Sequence, residues 1–354
     1  MERGEVNDPV FGENEIKKIG IFRALYLGDM LCIIPAVRAL RKAYPQAHIT
    51  LIGLPWQKEF ARRFSHYFDY CIEFPGWPGL PEQEPDPKKI VQFLKRVREE
   101  KFDLLLQMQG NGFITNNMCQ LWAARNIAGL RRKDQYAPDE SLFPVSEDDD
   151  HEILRFLKII DALRIPQQGV ELEFPLMYHE KERFHEIQQL LDLPVYKYVC
   201  IHPGARDPRR RWSAENFVYI ANHLAEMGYK IVLTGSMEER SLLEKVERDI
   251  QYPVINIVEA LGDVLLGELA AILQHSYFLF SNDTGVSHIA SALRVPSMIL
   301  FSPYSNMKRW APLDDQLHRV MPYEKSKDPE FVLYCLLDQL EKQSERKKLP
   351  VLFD

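Results

Sequence analysis

Short apolar segments alternate with amphipathic segments along this chain, and the alternation runs through two successive stretches. Residues 18–25 and 48–53 are largely apolar, and between them Ile33, Val37 and Leu40 recur at helical spacing. A second alternating stretch begins near residue 198. Strands that alternate with helices form parallel sheets covered by helices. The sequence therefore predicts an α/β protein with two parallel-sheet domains.

The connection between the two stretches lies within residues 166–194, which mix loop, a short apolar piece and a helix. A chain of 354 residues is long enough for two hydrophobic cores, since domains commonly have about 100–200 residues. We therefore predict an N-terminal domain over residues 15–175 and a C-terminal domain over residues 176–325. Residues 326–354 are predicted to form a final helix and tail.

Composition and charge narrow the possible partners and location. The net charge of -7 argues against a nucleic-acid partner, because such proteins are usually basic. The first residues have neither the basic nor the apolar region of a secretory signal, and no run of about 18 apolar residues occurs. The five cysteines are scattered, without the spacing of a metal site. Isolated cysteines fit a reducing compartment, so we expect a cytoplasmic protein.

Two common nucleotide-binding motifs are missing. No GxGxxG follows the first predicted strand, and GxxxxGK[ST] occurs nowhere in the chain. A dehydrogenase and a P-loop nucleotidase therefore lose their main support, although a doubly wound domain can bind a nucleotide without these motifs.

Residues 281–288, Ser-Asn-Asp-Thr-Gly-Val-Ser-His, form the strongest candidate site. They follow a predicted strand and open a predicted helix, where free backbone N–H groups can bind an anion. Asp283 or Thr284 could instead simply cap the helix, and His288 could be an ordinary core histidine. The turn and the histidine together favour a site for a phosphate or a sugar.

Four short motifs occur in order along the chain: Leu27-Gly28-Asp29-Met30-Leu31; His202-Pro203-Gly204-Ala205 followed by Arg210; Leu233-Thr234-Gly235-Ser236 followed by Glu238 and Glu239; and Asn282-Asp283-Thr284-Gly285 followed by His288. In sequence and spacing they resemble the motifs of the bacterial heptosyltransferase family, glycosyltransferase family 9. The resemblance extends from about residue 19 to residue 312.

This resemblance implies a GT-B fold, in which two Rossmann-like domains face each other across a central cleft. It also implies an enzyme that transfers a heptose from ADP-heptose with inversion, without a metal ion and without a cofactor. Asp29 would be the general base that takes the proton of the acceptor hydroxyl, and Gly28 would let the backbone turn tightly beside it. On spacing alone, Gly28 and Asp29 could form a helix-entry turn in which Asp29 is the cap.

The resemblance also implies which residues hold the substrates. The N–H groups and cations of the C-terminal domain would bind the donor, with either Glu238 or Glu239 on the ribose. The acceptor side is less defined, and we assign Gln109 and Asn111 to it because they follow a predicted strand. The full set of predicted donor-binding residues is Gly28, His202, Pro203, Gly204, Ala205, Arg206, Arg210, Gly235, Ser236, Glu238, Glu239, Asn282, Asp283, Thr284, Gly285 and His288.

The expected partners are a nucleotide-sugar donor and a saccharide or lipid-linked saccharide acceptor, with the lipopolysaccharide inner core as the main expectation. A lipid-linked acceptor would bring the protein into peripheral contact with the inner membrane. Two alternatives remain at this point. The protein could use another nucleotide sugar or another acceptor, or it could bind a sugar nucleotide without catalysis.

Overall fold

The computed structural model describes residues 8–348 of the chain. The expectations for the extreme N-terminus and for residues 349–354 of the predicted tail lie outside the described residues. The chain divides into two compact units between Glu171 and Leu172, four residues before the predicted boundary. We call them the N-unit and the C-unit. The final helix is grouped with the C-unit.

The N-unit contains a five-stranded parallel sheet in the order β3-β2-β1-β4-β5. Its strands are β1 Lys18–Phe22, β2 His48–Gly53, β3 Tyr70–Glu73, β4 Leu104–Gln107 and β5 Asn126–Gly129. Its helices are α1 Leu27–Leu31, α2 Ile34–Ala43, α3 Gln57–Arg63, α4 Pro87–Glu99, α5 Thr115–Gln120 and α6 Glu152–Ala162, and a 3-10 turn spans Glu13–Glu15.

Helices cover the N-unit sheet, which explains its apolar strands. The central strands β1 and β4 are buried along almost their whole length, as expected of parallel strands that are covered on both faces. Phe22 at the end of β1 packs against Phe74 and Trp122, with ring centroids 4.8 and 5.0 Å away. This aromatic cluster fixes the end of β1, from which the first motif continues.

The C-unit contains a six-stranded parallel sheet in the order β11-β10-β9-β6-β7-β8. Its strands are β6 Tyr198–His202, β7 Lys230–Leu233, β8 Val254–Asn256, β9 Phe278–Asn282, β10 Ser297–Leu300 and β11 His318–Met321. Its helices are α7 Tyr178–Leu190, α8 Ala214–Glu226, α9 Arg240–Asp249, α10 Ile257–Leu261, α11 Leu266–Gln274, α12 Gly285–Ala292, α13 Met307–Trp310, α14 Tyr323–Ser326 and α15 Pro329–Lys348. Two 3-10 turns span Pro208–Arg210 and Met237–Glu239.

Both sheets reverse their winding direction beside their first strand. In the N-unit the chain moves from β1 outward to β3 and then returns to β4 on the other side of β1. In the C-unit it moves from β6 outward to β8 and returns to β9. Loops that leave adjacent strands in opposite directions open a crevice at the carboxyl ends, where doubly wound sheets bind ligands. Each unit therefore has one preferred position for a site.

The predicted α/β class with two parallel-sheet domains is confirmed. Within residues 8–348, no helix combines the length and the apolar character that a membrane span requires.

Candidate active site

Arg23 organises the crevice of the N-unit. It follows β1, is almost completely buried, and donates from Nε to the Asp29 carbonyl oxygen over 2.9 Å and from Nη1 to the Met108 carbonyl oxygen over 2.6 Å. Its Nη2 contacts Asp29 Oδ1 at 3.2 Å and Glu152 Oε1 at 2.8 Å. The planar guanidinium thus ties the loops after β1 and β4 to α6 and fixes the carboxylate of Asp29.

Asp29 lies in the first turn of α1 and keeps access to solvent, with its side chain 22% exposed. The helix is capped at Tyr26, without a side-chain cap bond, so the alternative in which Asp29 is the cap is wrong. The expectation that Gly28 supports a tight turn is also wrong, because Gly28 lies inside α1 with helical backbone. Asp29 therefore presents a held carboxylate that a substrate can reach.

Gln109 and Asn111, the predicted acceptor residues, lie in the loop after β4. Gln109 is buried: its Oε1 accepts from the Ala24 N–H over 2.8 Å, and its Nε2 donates to Glu82 Oε1 over 3.0 Å. Asn111 is partly exposed, and its Oδ1 accepts from the Phe113 N–H over 3.1 Å. Gln109 therefore links the β1 end to Glu82 as a fixed bridge, whereas Asn111 shapes the loop.

Sequence reasoning missed Glu82, which lies in the Pro-rich loop before α4. Burial raises the pKa of its carboxyl group, and the negative charge of Asp29 raises it further. Glu82 is thus within electrostatic reach of Asp29. The loop has no strand or helix periodicity that could have signalled this position.

Asn282 anchors the loop that follows β6 in the C-unit. It ends β9 with no exposed surface, and its Nδ2 donates to the carbonyl oxygens of Pro203 and Gly204 over 2.8 and 3.2 Å. Its Oδ1 accepts from the Trp212 N–H over 3.0 Å. The amide therefore holds both ends of the loop that leaves the adjacent strand β6. Asn282, predicted to bind the donor, acts here on the shape of the loop.

Arg210 reaches Asp283 across the same crevice. Its Nη2 donates to Asp283 Oδ2, and its Nε donates to Ser305 Oγ over 2.7 Å. The Ser305 hydroxyl in turn donates to Asp283 Oδ2 over 2.7 Å. Asp283 is buried, whereas the Arg210 side chain remains 30% exposed. The triangle fixes a guanidinium whose remaining N–H groups can face a ligand. Sequence reasoning missed Ser305.

The N-terminus of α12 has the geometry of an anion site. Thr284 occupies the cap position, but its side chain makes no cap bond, and its buried Oγ1 has no hydrogen-bond partner. Its carbonyl oxygen accepts from the Ser287 N–H and hydroxyl. The helix opens at Gly285, and the first N–H groups of a helix lack partners within it. Of the two capping alternatives, Thr284 is therefore the cap residue, although its hydroxyl makes no cap bond, and Asp283 is not, since it precedes the cap.

His288 lies one turn into α12 and is largely buried. Its ring meets the edge of the Trp310 ring, with centroids 5.9 Å apart. The aromatic contact holds the imidazole near the start of α12, on the element that also presents Thr284 and Gly285.

His202 is the last residue of β6, and Gly204 lies in the loop that follows this strand. His202 Nδ1 and Thr234 Oγ1 are 3.0 Å apart, and burial lowers the pKa of the imidazole, so its neutral form is favoured. A side-chain carbon on Gly204 would lie 2.2 Å from Glu239 Oε1, so the close approach of this carboxylate requires glycine. The Gly204 backbone and the Glu239 carboxylate are therefore in van der Waals contact beside His202.

Glu239 and Glu238, the two ribose candidates, differ in environment. Glu239 is buried and accepts from the Ser236 N–H and hydroxyl over 3.1 and 3.3 Å. It also lies 3.6 Å from Arg211 Nη2. Glu238 is exposed on the same 3-10 turn. The structure thus brings Glu239, and not Glu238, against the β6 loop.

The remaining predicted donor residues lie around the same crevice. Gly235 follows β7, and a side-chain carbon there would lie 2.8 Å from Leu243 Cδ1. Ala205 is buried, and its carbonyl oxygen accepts from Arg211 Nε over 2.9 Å. Arg206 is exposed on the loop. Glycine and alanine therefore allow tight packing under the loop.

Two doubly wound parallel sheets in one chain, each with polar groups converging at its switch point, are the arrangement of GT-B glycosyltransferases. Comparison with known proteins then defines the family. The model of glycosyltransferase family 9 (heptosyltransferase) matches residues 90–341. The chain belongs to this family and is a glycosyltransferase, which confirms the family that the sequence resembles.

Individual relatives agree with this assignment. The chain is 23% identical over 305 residues to lipopolysaccharide heptosyltransferase 3 of Escherichia coli K12, covering 82% of this chain and 84% of the relative. Its fold is similar to that of a glycosyltransferase family 9 protein from Veillonella parvula, with a TM-score of 0.74, 20% identity, and 92% and 97% of the two chains covered. It is also similar to the ADP-heptose lipopolysaccharide heptosyltransferase II of E. coli, with a TM-score of 0.68, 20% identity, and 93% and 100% covered.

Proposed function

We propose that this protein transfers a heptose from ADP-heptose to a saccharide of the lipopolysaccharide inner core, with inversion at the anomeric carbon and without a metal ion. The relatives support the substrate classes, because they are lipopolysaccharide heptosyltransferases and one is described as an ADP-heptose enzyme. The observation that carries the proposed chemistry is the Asp29 carboxylate, which the buried guanidinium of Arg23 holds in place while leaving it accessible.

In the proposed reaction, Asp29 accepts the proton of an acceptor hydroxyl as its oxygen attacks the anomeric carbon of the donor. The bond between that carbon and the phosphate oxygen breaks, and the electron pair leaves with ADP. A single displacement inverts the anomeric carbon and needs only one carboxylate as base. Arg23 supports this role by fixing the orientation of Asp29, with Glu152 as a second partner that keeps the guanidinium in place.

The leaving ADP gains negative charge on its diphosphate, which positive charge and N–H donors must stabilise. In the C-unit, the Arg210 guanidinium, the first N–H groups of α12 and the unpartnered Thr284 hydroxyl supply such groups. We assign the remaining predicted donor residues around this crevice to the same role, with Glu239 as the ribose contact favoured by its position. These groups could stabilise the diphosphate without a divalent cation.

The test offers the purified protein ADP-, UDP-, GDP- and CDP-sugars and measures thermal stabilisation. Transfer is then measured with deacylated core oligosaccharide, with and without EDTA. We expect selective stabilisation by ADP-heptose, a product of inverted configuration and unchanged rates in EDTA. Stabilisation by UDP-sugars alone would overturn the donor assignment. Binding without transfer to any core acceptor would favour a non-catalytic binding protein.

We further propose that the lipid-linked form of the acceptor draws the protein to the cytoplasmic face of the inner membrane. The measurement is co-sedimentation with vesicles that do or do not carry lipopolysaccharide precursors. Sedimentation only with precursor-bearing vesicles is the expected result, whereas equal sedimentation with both would contradict recognition through the acceptor.

A further inference from the structure

The N-unit contains a pocket of about 470 Å³ beside the loop after β4. Its walls come from residues 79–82 of the Pro-rich loop, residues 109–115, and two side chains after β5. The polar and aromatic side chains in the lining include Glu82, Gln109, Asn111, Phe113, Arg132 and Gln135. A concave site with a few convergent polar groups and an aromatic ring is typical of small-ligand recognition.

Glu82 has one carboxylate oxygen in use and one without a partner. Its Oε1 accepts from Gln109 Nε2 over 3.0 Å, while its Oε2 is buried and has no hydrogen-bond partner. A buried acceptor without a donor is costly, and proteins retain such groups mainly where a ligand or water completes them. Gln109 is itself held by the Ala24 N–H, so its bond to Oε1 holds the carboxylate at the wall of the pocket.

The charges of the pocket favour a neutral ligand. Its only charged lining residues are Glu82 and Arg132. Arg132 contacts both carboxylate oxygens of Asp148 at 2.6 Å, which offsets its charge. The negative charge of Glu82 therefore dominates the electrostatic potential of the pocket and would repel a phosphate or a carboxylate. A hydroxyl group, in contrast, can donate to Glu82 Oε2.

Phe113 gives the pocket an apolar wall. Its side chain is 68% exposed on the loop after β4, so a face of the aromatic ring is accessible to a ligand. The C–H face of a sugar ring can pack against such a ring while its hydroxyls reach Glu82 and Gln135. Gln109 links Glu82 to the Ala24 N–H, and the neighbouring residue Arg23 bonds Asp29, so the pocket borders the loop that leads to the proposed base.

We propose that this pocket binds a neutral, hydroxyl-rich sugar unit of the acceptor, with Glu82 Oε2 accepting a hydrogen bond from one of its hydroxyls. Glu82 is then a specificity-determining residue, and the selected acceptor unit is unphosphorylated. This inference rests on the proposed function for the identity of the acceptor, but the predicted chemistry of the pocket is independent of the donor.

The test compares Glu82→Gln with Glu84→Gln, an exposed carboxylate of the same loop. With deacylated core oligosaccharide as the probe, Glu82→Gln should raise the acceptor KM at least about tenfold, as expected for the loss of a hydrogen bond to a charged group. The donor KM and the unfolding temperature should stay unchanged, and Glu84→Gln should behave as wild type. An unchanged acceptor KM, or an equal rise in the donor KM, would overturn the proposal.

A second measurement separates this inference from the proposed function. Binding of dephosphorylated and phosphorylated core oligosaccharide to the wild-type protein and to Glu82→Gln is measured by calorimetry, without any donor. We expect the dephosphorylated form to bind at least as tightly as the phosphorylated form, and the variant to lose that binding. Binding that requires the phosphates, or no binding to the wild type, would overturn the inference even if transfer occurs. If wild-type binding fits the inference but no transfer is seen, only the proposed function fails.

Discussion

Replacing Asp29 with Asn removes the proposed proton acceptor while preserving the shape of the side chain. Loss of a general base typically lowers the rate by about 100-fold to 10,000-fold. We expect kcat to fall by that amount while thermal stabilisation by ADP-heptose stays unchanged, because the donor groups lie in the C-unit. The control is Asp134→Asn, an exposed carboxylate of the same unit. A variant with full activity would remove Asp29 as the base.

Arg210 offers a second test at the scale of one residue. Arg210→Ala should raise the donor KM by about 10-fold to 100-fold, the range expected for charged hydrogen bonds. Arg210→Lys should recover only part of the loss, since an ammonium group cannot bond Ser305 and a phosphate with the same planar geometry. Arg209→Ala is the matched control, because Arg209 is exposed on the same turn and paired with Asp207. Equal effects of Arg209→Ala and Arg210→Ala would contradict the assignment.

At the scale of one element, the start of α12 separates a binding role from a capping role. Thr284→Val replaces an unpartnered buried hydroxyl by a methyl group of similar shape. We expect unchanged or slightly higher stability, because no bond is lost, together with roughly tenfold weaker donor binding. Ser287→Ala should lower the stability and leave donor binding nearly unchanged, since the Ser287 hydroxyl donates to the Thr284 carbonyl oxygen over 2.7 Å. Both are measured by chemical unfolding and by donor titration, and a loss of stability in Thr284→Val would show that the Thr284 hydroxyl acts as a helix cap rather than as a donor contact.

The sequence predicts the elements whose apolar pattern is unambiguous. Strands β1 and β2, helix α2 and the start of β6 lie where the pattern predicts them, although β1 ends three residues before the end of its apolar run. Edge strand β3 escapes prediction because, of its four residues, Ile72 alone is buried, so neither alternation nor an apolar run appears. Tertiary burial, which no local pattern encodes, decides such segments.

Some residues of the candidate site could likewise be predicted from the sequence, whereas others could not. Motif residues such as Asp29, Thr284 and His288 could be found from sequence, because they sit in recognisable turns. Arg23 and Glu82 could not, because their roles depend on partners far along the chain: Arg23 bonds Glu152, and Glu82 bonds Gln109. A lone arginine after a strand and a glutamate in a Pro-rich loop carry no local signal. Only the folded arrangement reveals these roles.

At the scale of the whole molecule, the stability of the C-unit depends on histidines that are buried in the neutral form. His318 on β11 contacts Ser297 Oγ at 2.8 Å, and burial lowers the pKa of its imidazole to about 4. The unfolded chain takes up this proton near pH 6.5. Between pH 6.5 and pH 4 the unfolded state therefore binds more protons than the folded state, so the free energy of unfolding falls as the pH falls. The contribution of His318 reaches about 3 kcal/mol by pH 4.

This pH dependence can be measured by chemical unfolding of the wild-type protein and of His318→Gln at pH 7, 6 and 5. The amide keeps a polar group near Ser297 but does not titrate, so the variant should lose less stability than the wild type between pH 7 and pH 5. Part of the slope of the free energy of unfolding against pH should remain in the variant, because burial also lowers the pKa of His202. His179→Gln, at an exposed position of the C-unit, should keep the wild-type slope. Identical slopes for wild type and His318→Gln would show that His318 is not the group whose protonation opposes folding, and the acid sensitivity would then have to come from His202 or from paired carboxylates.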